Sequence, residues 1–292
     1  MRQRHWALLL AAATFGCRHD SPATVAAELF WRYRYAFDVP YHRAGDWQGA
    51  LDVMYPRDTA RAKPAVVAVH GGGFVAGSKE SFIPFVLPYV ARGWVVINVG
   101  YRLADQAPAP AAVEDVRCAL QWVGRNAAAY GIDPRRIVIT GYSAGGYLAL
   151  IAALLPDSAG LDSSCPGERP TPAAVASWAG IGDLPDVVQG AHWSAGPARW
   201  LGDRPDRLEL ARRLSPLAWV RPGVPPVVSV HGDADASVPY EHSVRLHAAL
   251  TAAGTSNELV GIPRGGHGYT SASSRRAMER VIRFLERHLP SS

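Results

Sequence analysis

The 292-residue chain has few cysteines, only two lysines and no low-complexity block. With three cysteines and no HExxH motif, it offers no clustered set of ligands for a structural or catalytic zinc ion. Apolar residues make up 48% of the chain, and glycine and proline recur between the apolar runs, which excludes a disordered protein. We expect one large domain, without a metal or another cofactor.

The positive charge is spread along the chain. The formal net charge is +5, and the basic residues are almost all arginines, which stand singly or in pairs among acids such as Asp203, Asp206 and Glu209. A nucleic-acid-binding protein collects its basic residues on one face or along one helix. The pattern therefore predicts no nucleic-acid partner.

The first sixteen residues have the pattern of an export signal. Arg2 and Arg4 precede an apolar run, Trp6–Phe15, that is too short to cross a bilayer as a helix. A segment of this kind is removed from the mature protein. We therefore leave residues 1–16 out of the fold and expect an exported protein.

Cys17 follows directly after this segment, as the modified cysteine does in bacterial lipoproteins. The segment resembles their cleavage motif, which implies that Cys17 becomes the lipid-carrying first residue and attaches the protein to a membrane of the cell envelope, with the periplasm as its compartment. Thr14 and Phe15 differ from the residues of that motif. Cleavage near Ala11–Ala13 by an ordinary signal peptidase, which gives a secreted protein, is the alternative.

The two remaining cysteines can pair in an exported protein, because that compartment is oxidising. Cys118 falls in a helical pattern, and Cys165 in a loop after another helix. The sequence leaves open both a disulfide and two free thiols.

Short β-branched runs alternate with helical stretches along the chain. Six runs are predicted as buried strands: 65–69, 95–99, 136–140, 173–179, 226–230 and 258–262. Five segments are predicted as helices: 81–92, 111–130, 144–155, 240–253 and 273–288. This alternation predicts an α/β fold with a mostly parallel sheet that helices cover on both faces.

The predicted domain spans residues 46–290 and follows an N-terminal segment, residues 17–45. Residues 182–221, which are rich in Trp, Arg, Gly and Pro, interrupt the alternation between two strands. We predict that this insertion forms a small cap over the site. Since ligands bind beyond the carboxyl ends of the strands in such sheets, the chemistry is expected at the residues that follow the strands.

Ser143 lies between a predicted strand and a predicted helix, in the sequence GYSAGG. Gly141 and Gly145 permit a sharp turn there, where a Cβ atom would obstruct it. The serine is then exposed above the sheet at the start of a helix, where the dipole and the free N–H groups favour negative charge. Ser143 is therefore predicted as a nucleophile.

A second strand ends in the glycine-rich sequence VAVHGGG. Its backbone can approach a ligand closely. The N–H groups of Gly72 and Gly73, with that of Ala144 after the nucleophile, are predicted to bind the oxyanion of a tetrahedral intermediate. We expect His70 to shape this loop.

Two later strand ends supply an acid and a base. Asp233 and Asp235 follow one strand, and His267 lies between glycines after the last strand. A histidine titrates near neutral pH, which suits a general base. The order serine, acid, histidine along the chain is the order found in α/β-hydrolases, and either aspartate could orient the histidine.

Together these segments resemble the hormone-sensitive-lipase-like esterases, and especially the feruloyl- and acetyl-xylan-esterase-like (BD-FAE) group of α/β-hydrolases. The resemblance covers about residues 50–288, and the matching segments are HGGGF at 70–74, YRLA at 101–104, YGIDPRRI at 130–137, GYSAGG at 141–146 and HGDADASVP at 231–239. In that family the acid lies three residues after the glycine of the HG pair, which selects Asp235.

The resemblance implies an α/β-hydrolase fold and the catalytic triad Ser143, Asp235 and His267. It also implies a serine carboxylesterase that acts on small-molecule esters, with short acyl groups or carbohydrate-linked acetyl and feruloyl groups as candidate substrates. Phe74 and Trp178 are candidate substrate-binding residues, and packing in the core is the alternative for both.

Three other functions are alternatives to an esterase. Gly71, Gly73 and Ala76 form a loose dinucleotide fingerprint after a predicted strand, but the next strand does not end in the acid that would bind a ribose hydroxyl. A non-catalytic, lipid-anchored binding module is expected to have lost a triad residue, and all three positions are filled here. Arylformamidase-like hydrolysis of an amide stays open, because the same triad serves it.

Overall fold

The computed structural model describes residues 31–58, 60–160 and 165–291. The predicted export signal and Cys17 lie outside this part of the chain. Within it, no helix combines the length and the apolar character that a membrane crossing requires.

A sheet of eight strands forms the centre of the described chain. The strands are β1 (Tyr33–Ala44), β2 (Trp47–Pro56), β3 (Lys63–Val69), β4 (Val95–Val99), β5 (Ile132–Tyr142), β6 (Ala174–Trp178), β7 (Val227–Gly232) and β8 (Asn257–Ile262). Their order across the sheet is β1-β2-β4-β3-β5-β6-β7-β8. Strands β3 to β8 pair in parallel, whereas β2 pairs antiparallel with both β1 and β4. The predicted α/β fold with a mostly parallel sheet is confirmed.

The first two strands were not predicted. The hairpin of β1 and β2 turns between Ala44 and Trp47, and β1 carries polar, exposed residues such as Arg34 and Arg43 along its length. It therefore lacks the continuous apolar run that marks a buried parallel strand. The structure starts the sheet at Tyr33, so part of the predicted N-terminal segment 17–45 belongs to the domain, which extends beyond the predicted boundary at residue 46.

Helices cover both faces of the sheet. They are α1 (Ile83–Val90), α2 (Ala111–Asn126), α3 (Ala144–Leu154), α4 (Leu184–Val188), α5 (Ala195–Leu201), α6 (Arg207–Arg213), α7 (Tyr240–Ala252) and α8 (Ser271–His288). On one face α1 and α8 belong to the apolar cluster that contains Val66 and Ala68 of β3, and on the other α2, α3 and α7 belong to the apolar cluster that contains Val67 and Val69. The alternation of neighbouring side chains between the two faces is the period of two that a strand imposes.

The insertion predicted as a cap contains α4, α5 and α6, followed by a short 3-10 turn at Pro216–Trp219. Its buried side chains, among them Leu184, Val187 and Trp200, join the core on the α3 side of the sheet. The cap is therefore packed against the body of the domain and does not form a separate core.

Cys118 of α2 and Cys165 form a disulfide, with their Cα atoms 5.6 Å apart. The Nδ1 atom of His42 lies 3.4 Å from the Sγ atom of Cys165. These three residues form a group of potential metal ligands among the described residues, but the disulfide engages both sulfur atoms. The bond joins α2 to the segment that follows α3.

Candidate active site

Ser143 occupies a sharp turn between β5 and α3. Its backbone has φ 55° and ψ −120°, a conformation that side chains rarely adopt, and its N–H donates to the carbonyl of Trp178 over 2.7 Å. A Cβ atom on Gly141 would collide with the carbonyl of Gly145, and one on Gly145 with the carbonyl of Val69. The two glycines are therefore required by close backbone contacts, and the turn presents the serine at the start of α3.

The N–H groups predicted to form the oxyanion hole line the same cavity as Ser143. Gly72, Gly73 and Ala144 all border it, and in the described part of the chain none of their N–H groups donates to another residue. Gly72 has φ 125°, and a Cβ atom there would run into the carbonyl of Ala76. Three unsatisfied donors beside a nucleophile suit the negative oxygen of a tetrahedral intermediate.

His70 and Tyr101 hold the start of this glycine loop. The Tyr101 hydroxyl donates to the carbonyl of His70 over 3.0 Å, and the two rings stack with centroids 4.3 Å apart. Burial lowers the pKa of His70, so its ring is neutral near pH 7 and Nδ1–H donates to the carbonyl of Gly71. His70 thus shapes the loop, as expected, and does not contact Ser143.

Lys79 anchors the end of the same loop to the antiparallel edge of the sheet. Its Nζ atom donates to Asp38 and Asp52 over 2.8 Å and to Glu80 over 2.7 Å. Although partial burial opposes it, the hydrogen bond from Lys79 lowers the pKa of Glu80 to about 2. The loop that carries the oxyanion donors is therefore held at both ends.

His267 bridges the serine and one of the two candidate acids. Its Nε2 atom lies 2.9 Å from Ser143 Oγ, and its Nδ1 atom lies 2.7 Å from Asp235 Oδ2. Asp233 instead accepts a hydrogen bond from the backbone N–H of Arg264. The structure thus brings Ser143, His267 and Asp235 into one row and leaves Asp233 outside it.

Asp235 is fixed by donors on both of its oxygens. Oδ1 accepts from the N–H groups of Ser237 and Val238, while Oδ2 faces His267 and lies 3.4 Å from Nε2 of His231. Burial opposes ionisation, but hydrogen bonds from the two histidines and the two N–H groups hold the pKa of Asp235 well below its usual range. The carboxylate stays charged near neutral pH and can orient an imidazole.

This arrangement can carry out acyl transfer. With Nδ1–H of His267 donating to the carboxylate, Nε2 is left as the acceptor of the serine proton. The nucleophile, its base, the acid and the oxyanion donors come from the ends of β3, β5, β7 and β8, all at the carboxyl edge of the sheet. That edge is where a parallel sheet was predicted to bind its ligand.

The cavity beside Ser143 has a volume of about 530 Å³. Phe74 forms part of its wall but is fully buried, and its ring stacks on that of Trp200 from the cap with centroids 4.3 Å apart. Val187 and Pro197 bring two cap helices into the same wall. The cap therefore forms one side of the catalytic cavity, where its Trp200 packs behind Phe74.

Trp178 lies in a different position from Phe74. It lines a groove of about 490 Å³ between α1 and α8, whose walls are mostly apolar and include Phe85, Tyr269 and Met278. The groove and the catalytic cavity share Ser81 and Tyr142 as lining residues. The two spaces are therefore neighbours, and Trp178 belongs to the groove.

Tyr142 was not predicted as a site residue. It precedes the nucleophile, its ring centroid lies 5.5 Å from that of His267, and burial raises its pKa to about 12, which keeps the hydroxyl protonated. Its position before Ser143 was a signal in the sequence. The other aromatic residues of the groove come from three separate segments, so only the fold could bring them together.

Comparison with known proteins places these features in a family. The profile of the BD-FAE family matches residues 51–250. The esterase LipQ of Mycobacterium tuberculosis is 31% identical over 263 residues, which cover 85% of this chain and 61% of LipQ. The chain thus spans about three fifths of the length of that relative.

Solved structures give the same result. A truncated carbohydrate esterase from gut microbiota superposes with a TM-score of 0.73 at 26% identity, covering 88% of this chain and 96% of that one. Esterase 2 of Thermogutta terrifontis, in a propionate-bound form, superposes with a TM-score of 0.74 at 26% identity and the same coverage. The resemblance to α/β-hydrolase esterases predicted from the sequence is confirmed.

Proposed function

The chain belongs to the BD-FAE family, and from this premise we propose that it is a serine carboxylesterase that cleaves short-chain acyl esters. The observation that carries the proposal is the hydrogen-bonded row of Ser143, His267 and Asp235 beside three free N–H groups. A row of this kind needs neither metal nor cofactor to activate a serine.

The proposed reaction proceeds through an acyl-enzyme. His267 Nε2 takes the proton of Ser143 as Oγ attacks the ester carbonyl, and the carbonyl oxygen becomes negative against the N–H groups of Gly72, Gly73 and Ala144. The intermediate collapses, and the alcohol leaves with the proton from His267. Water then attacks the acyl-enzyme, gives its proton to His267, and the acid leaves as Ser143 regains its proton.

A short acyl group fits the cavity beside the serine. The cavity is bounded by the glycine loop on one side and by Val187 and Pro197 of the cap on the other. Esterase 2 of Thermogutta terrifontis has been solved bound to propionate and to butyrate, and also phosphorylated by paraoxon. We therefore expect activity on acyl chains of two to four carbons, and reaction of Ser143 with paraoxon.

The alcohol part of the substrate is proposed to lie in the groove between α1 and α8. Half-buried aromatic rings of Phe85 and Tyr269, with polar side chains at the rim, Arg275 and Glu279, suit a sugar ring, whose apolar face stacks while its hydroxyls form hydrogen bonds. The solved relative described as a carbohydrate esterase supports this assignment. Carbohydrate-linked acetyl or feruloyl esters are the proposed natural substrates.

The esterase is proposed to work outside the cytoplasm. The disulfide between Cys118 and Cys165 suits an oxidising compartment, and the export signal and Cys17 would attach the mature protein to the cell envelope through a lipid. The intact mass of the protein extracted from the membrane fraction tests this. A mature chain that begins near Ala11–Ala13 and contains an unmodified Cys17 would refute the anchor and leave secretion.

Hydrolysis of p-nitrophenyl esters from acetate to octanoate tests the activity, with Ser143→Ala as the matched blank. The expected result is turnover that is highest on acetate to butyrate and falls to the blank in the variant. A formanilide substrate measured in parallel separates ester from amide cleavage. Equal rates for wild type and Ser143→Ala on every substrate would refute the proposed function.

A further inference from the structure

A basic pocket lies at the end of the sheet opposite Ser143. It has a volume of about 460 Å³, and five basic side chains line it, namely those of Arg32, Arg57, Lys63, Arg92 and Arg136. Arg136 lies near the start of β5 and Ser143 follows the end of that strand, so about 23 Å of strand separates the two sites at roughly 3.3 Å per residue. The pocket takes no part in the proposed catalysis.

The fold collects these charges from distant parts of the sequence. Lys63 begins β3, Arg57 follows the end of the antiparallel strand β2, and Arg92 precedes β4. Because β2 runs antiparallel to its neighbour β4, its end meets the amino ends of the parallel strands at one edge of the sheet. Basic residues that look scattered in the sequence thus share one pocket.

Acidic side chains balance only part of this charge. Asp58 is the one carboxylate in the lining, and its Oδ2 atom lies 3.6 Å from Nζ of Lys63, while outside the lining Glu286 lies 3.8 Å from Arg92 and Asp133 interacts with the charge of Arg136. Five basic residues and these three acids leave an excess of two positive charges at the pocket. Among the described residues, moreover, the Nε–H group of Arg136 is buried without a hydrogen-bond partner. The pocket therefore has a net positive charge that attracts an anion.

The described chain also begins at this pocket. Arg32 is one of its lining residues, and its carbonyl accepts a hydrogen bond from the N–H of Arg57 over 2.8 Å. Trp31, directly before it, is 72% exposed. Cys17 is fourteen residues earlier, which is at most about 50 Å of extended chain. A lipid on Cys17 would hold this end of the domain close to the bilayer.

We propose that the basic pocket docks the protein on an anionic phospholipid surface, with a phosphate headgroup in the pocket and Trp31 at the interface. Tryptophan partitions to the headgroup region of a membrane, and each basic side chain near an anionic surface adds to the attraction. In this orientation the carboxyl edge of the sheet, with Ser143, faces away from the membrane. The inference draws support from the proposed anchor at Cys17, but it is independent of the esterase activity.

Vesicle binding tests the proposal with the full-length chain, in which Cys17→Ser prevents lipidation. Sedimentation with vesicles of phosphatidylcholine alone, and with phosphatidylglycerol added, is compared for this chain and for the same chain with Arg57→Glu and Lys63→Glu. A control carries Arg199→Glu and Arg212→Glu, two exposed cap residues of the same charge. Whatever the first thirty residues contribute is common to all three proteins.

Binding is expected to rise with the phosphatidylglycerol fraction and to weaken with salt, because the attraction is screened. The pocket variant should bind at least about 25-fold more weakly, since each basic residue contributes about fivefold near such a surface, whereas the cap control should stay within about threefold of the parent. Hydrogen exchange should show protection of residues 60–64 and 92–94 on anionic vesicles only.

Two results would overturn the proposal. One is equal binding of the pocket variant and the cap control; the other is protection that does not depend on anionic lipid. Polygalacturonate is the comparison ligand: if it protects the same residues and anionic vesicles do not, the partner is an acidic polysaccharide and the membrane assignment is wrong. An unchanged Tm and circular dichroism spectrum check that each variant is folded.

Discussion

Replacing Asp235 with asparagine should abolish most of the activity without unfolding the protein. The structure gives the reason. Oδ1 of Asp235 accepts two backbone hydrogen bonds, from Ser237 over 2.8 Å and from Val238 over 3.0 Å. An asparagine must put its carbonyl oxygen there, because its amino group would face two donors. The amino group then takes the place of Oδ2 and points at Nδ1 of His267.

The imidazole would consequently change its tautomer. An amide N–H directed at Nδ1 makes that nitrogen an acceptor and moves the ring proton to Nε2, which lies 2.9 Å from Ser143 Oγ. A protonated Nε2 cannot accept the serine proton. In other Ser-His-Asp enzymes this substitution lowers kcat by about 10⁴-fold, or about 5.5 kcal/mol of barrier, and we expect a loss of 10³- to 10⁴-fold on p-nitrophenyl acetate.

Asp233→Asn is the matched control, because Asp233 lies two residues away on the same turn. Its Oδ1 atom accepts a hydrogen bond from Arg264, and an asparagine oxygen can do the same. We expect Asp233→Asn to keep activity within about threefold of wild type, and both variants to keep the circular dichroism spectrum of the folded protein. If Asp235→Asn kept a tenth of the activity, or if Asp233→Asn lost as much, the assignment of the acid would be wrong.

Three further predictions address the oxyanion loop, the disulfide and acid stability. Gly72→Ala places a Cβ against the carbonyl of Ala76, so kcat on p-nitrophenyl acetate should fall by 10²-fold or more, and a normal kcat would contradict the assigned donors. Cys118→Ser opens a bridge between residues 47 apart and should lower the free energy of unfolding, measured in urea under oxidising conditions, by about 4 kcal/mol relative to wild type. The difference should largely disappear under reducing conditions, and equal stability under oxidising conditions would contradict the prediction. The pKa of Glu80 is lowered in the fold to about 2, against burial, by its hydrogen bond to Lys79, so its stabilising effect is present above about pH 4.5 and is lost as the pH falls towards 2; the stability difference between wild type and Glu80→Gln should shrink over that range, and a difference that grows would refute the sign.

The sequence predicted the parts of the fold that depend on local patterns. Strands β3 to β8 were found because each contains a short run of mostly apolar residues, and the nucleophile turn was found because Gly141 and Gly145 flank its serine. Strand β8, at the far edge of the sheet, was predicted as buried, but only Val260 of its six residues is buried. The hairpin of β1 and β2 was missed because its edge strand carries exposed arginines, and edge strands do not need an apolar run. Local patterns therefore predicted the centre of the sheet better than its edge.

The site was predictable to the extent that its residues follow strands directly. The residues that follow β3, β5, β7 and β8 met at one edge, as a parallel sheet requires. The groove beside Tyr142 was not predictable, since its walls come from α1, β6 and α8, and their contact depends on helix packing. The basic pocket was not predicted for a related reason: its basic residues are up to about a hundred positions apart in the sequence, and only the fold brings them together.

The two aspartates after β7 show what the fold adds to a motif. They are chemically identical, and the resemblance separated them only by counting from a glycine. In the structure Asp235 turns inward to His267, while Asp233 accepts from Arg264, whose backbone has a positive φ of 54° three residues before that histidine. Ala234, between them, donates to the carbonyl of Gly265 over 2.9 Å. One turn therefore supplies the catalytic acid and also holds the loop that carries His267. Asp233→Ala removes the acceptor of the Arg264 N–H and should loosen His267, whereas Asp233→Asn keeps that acceptor and should not.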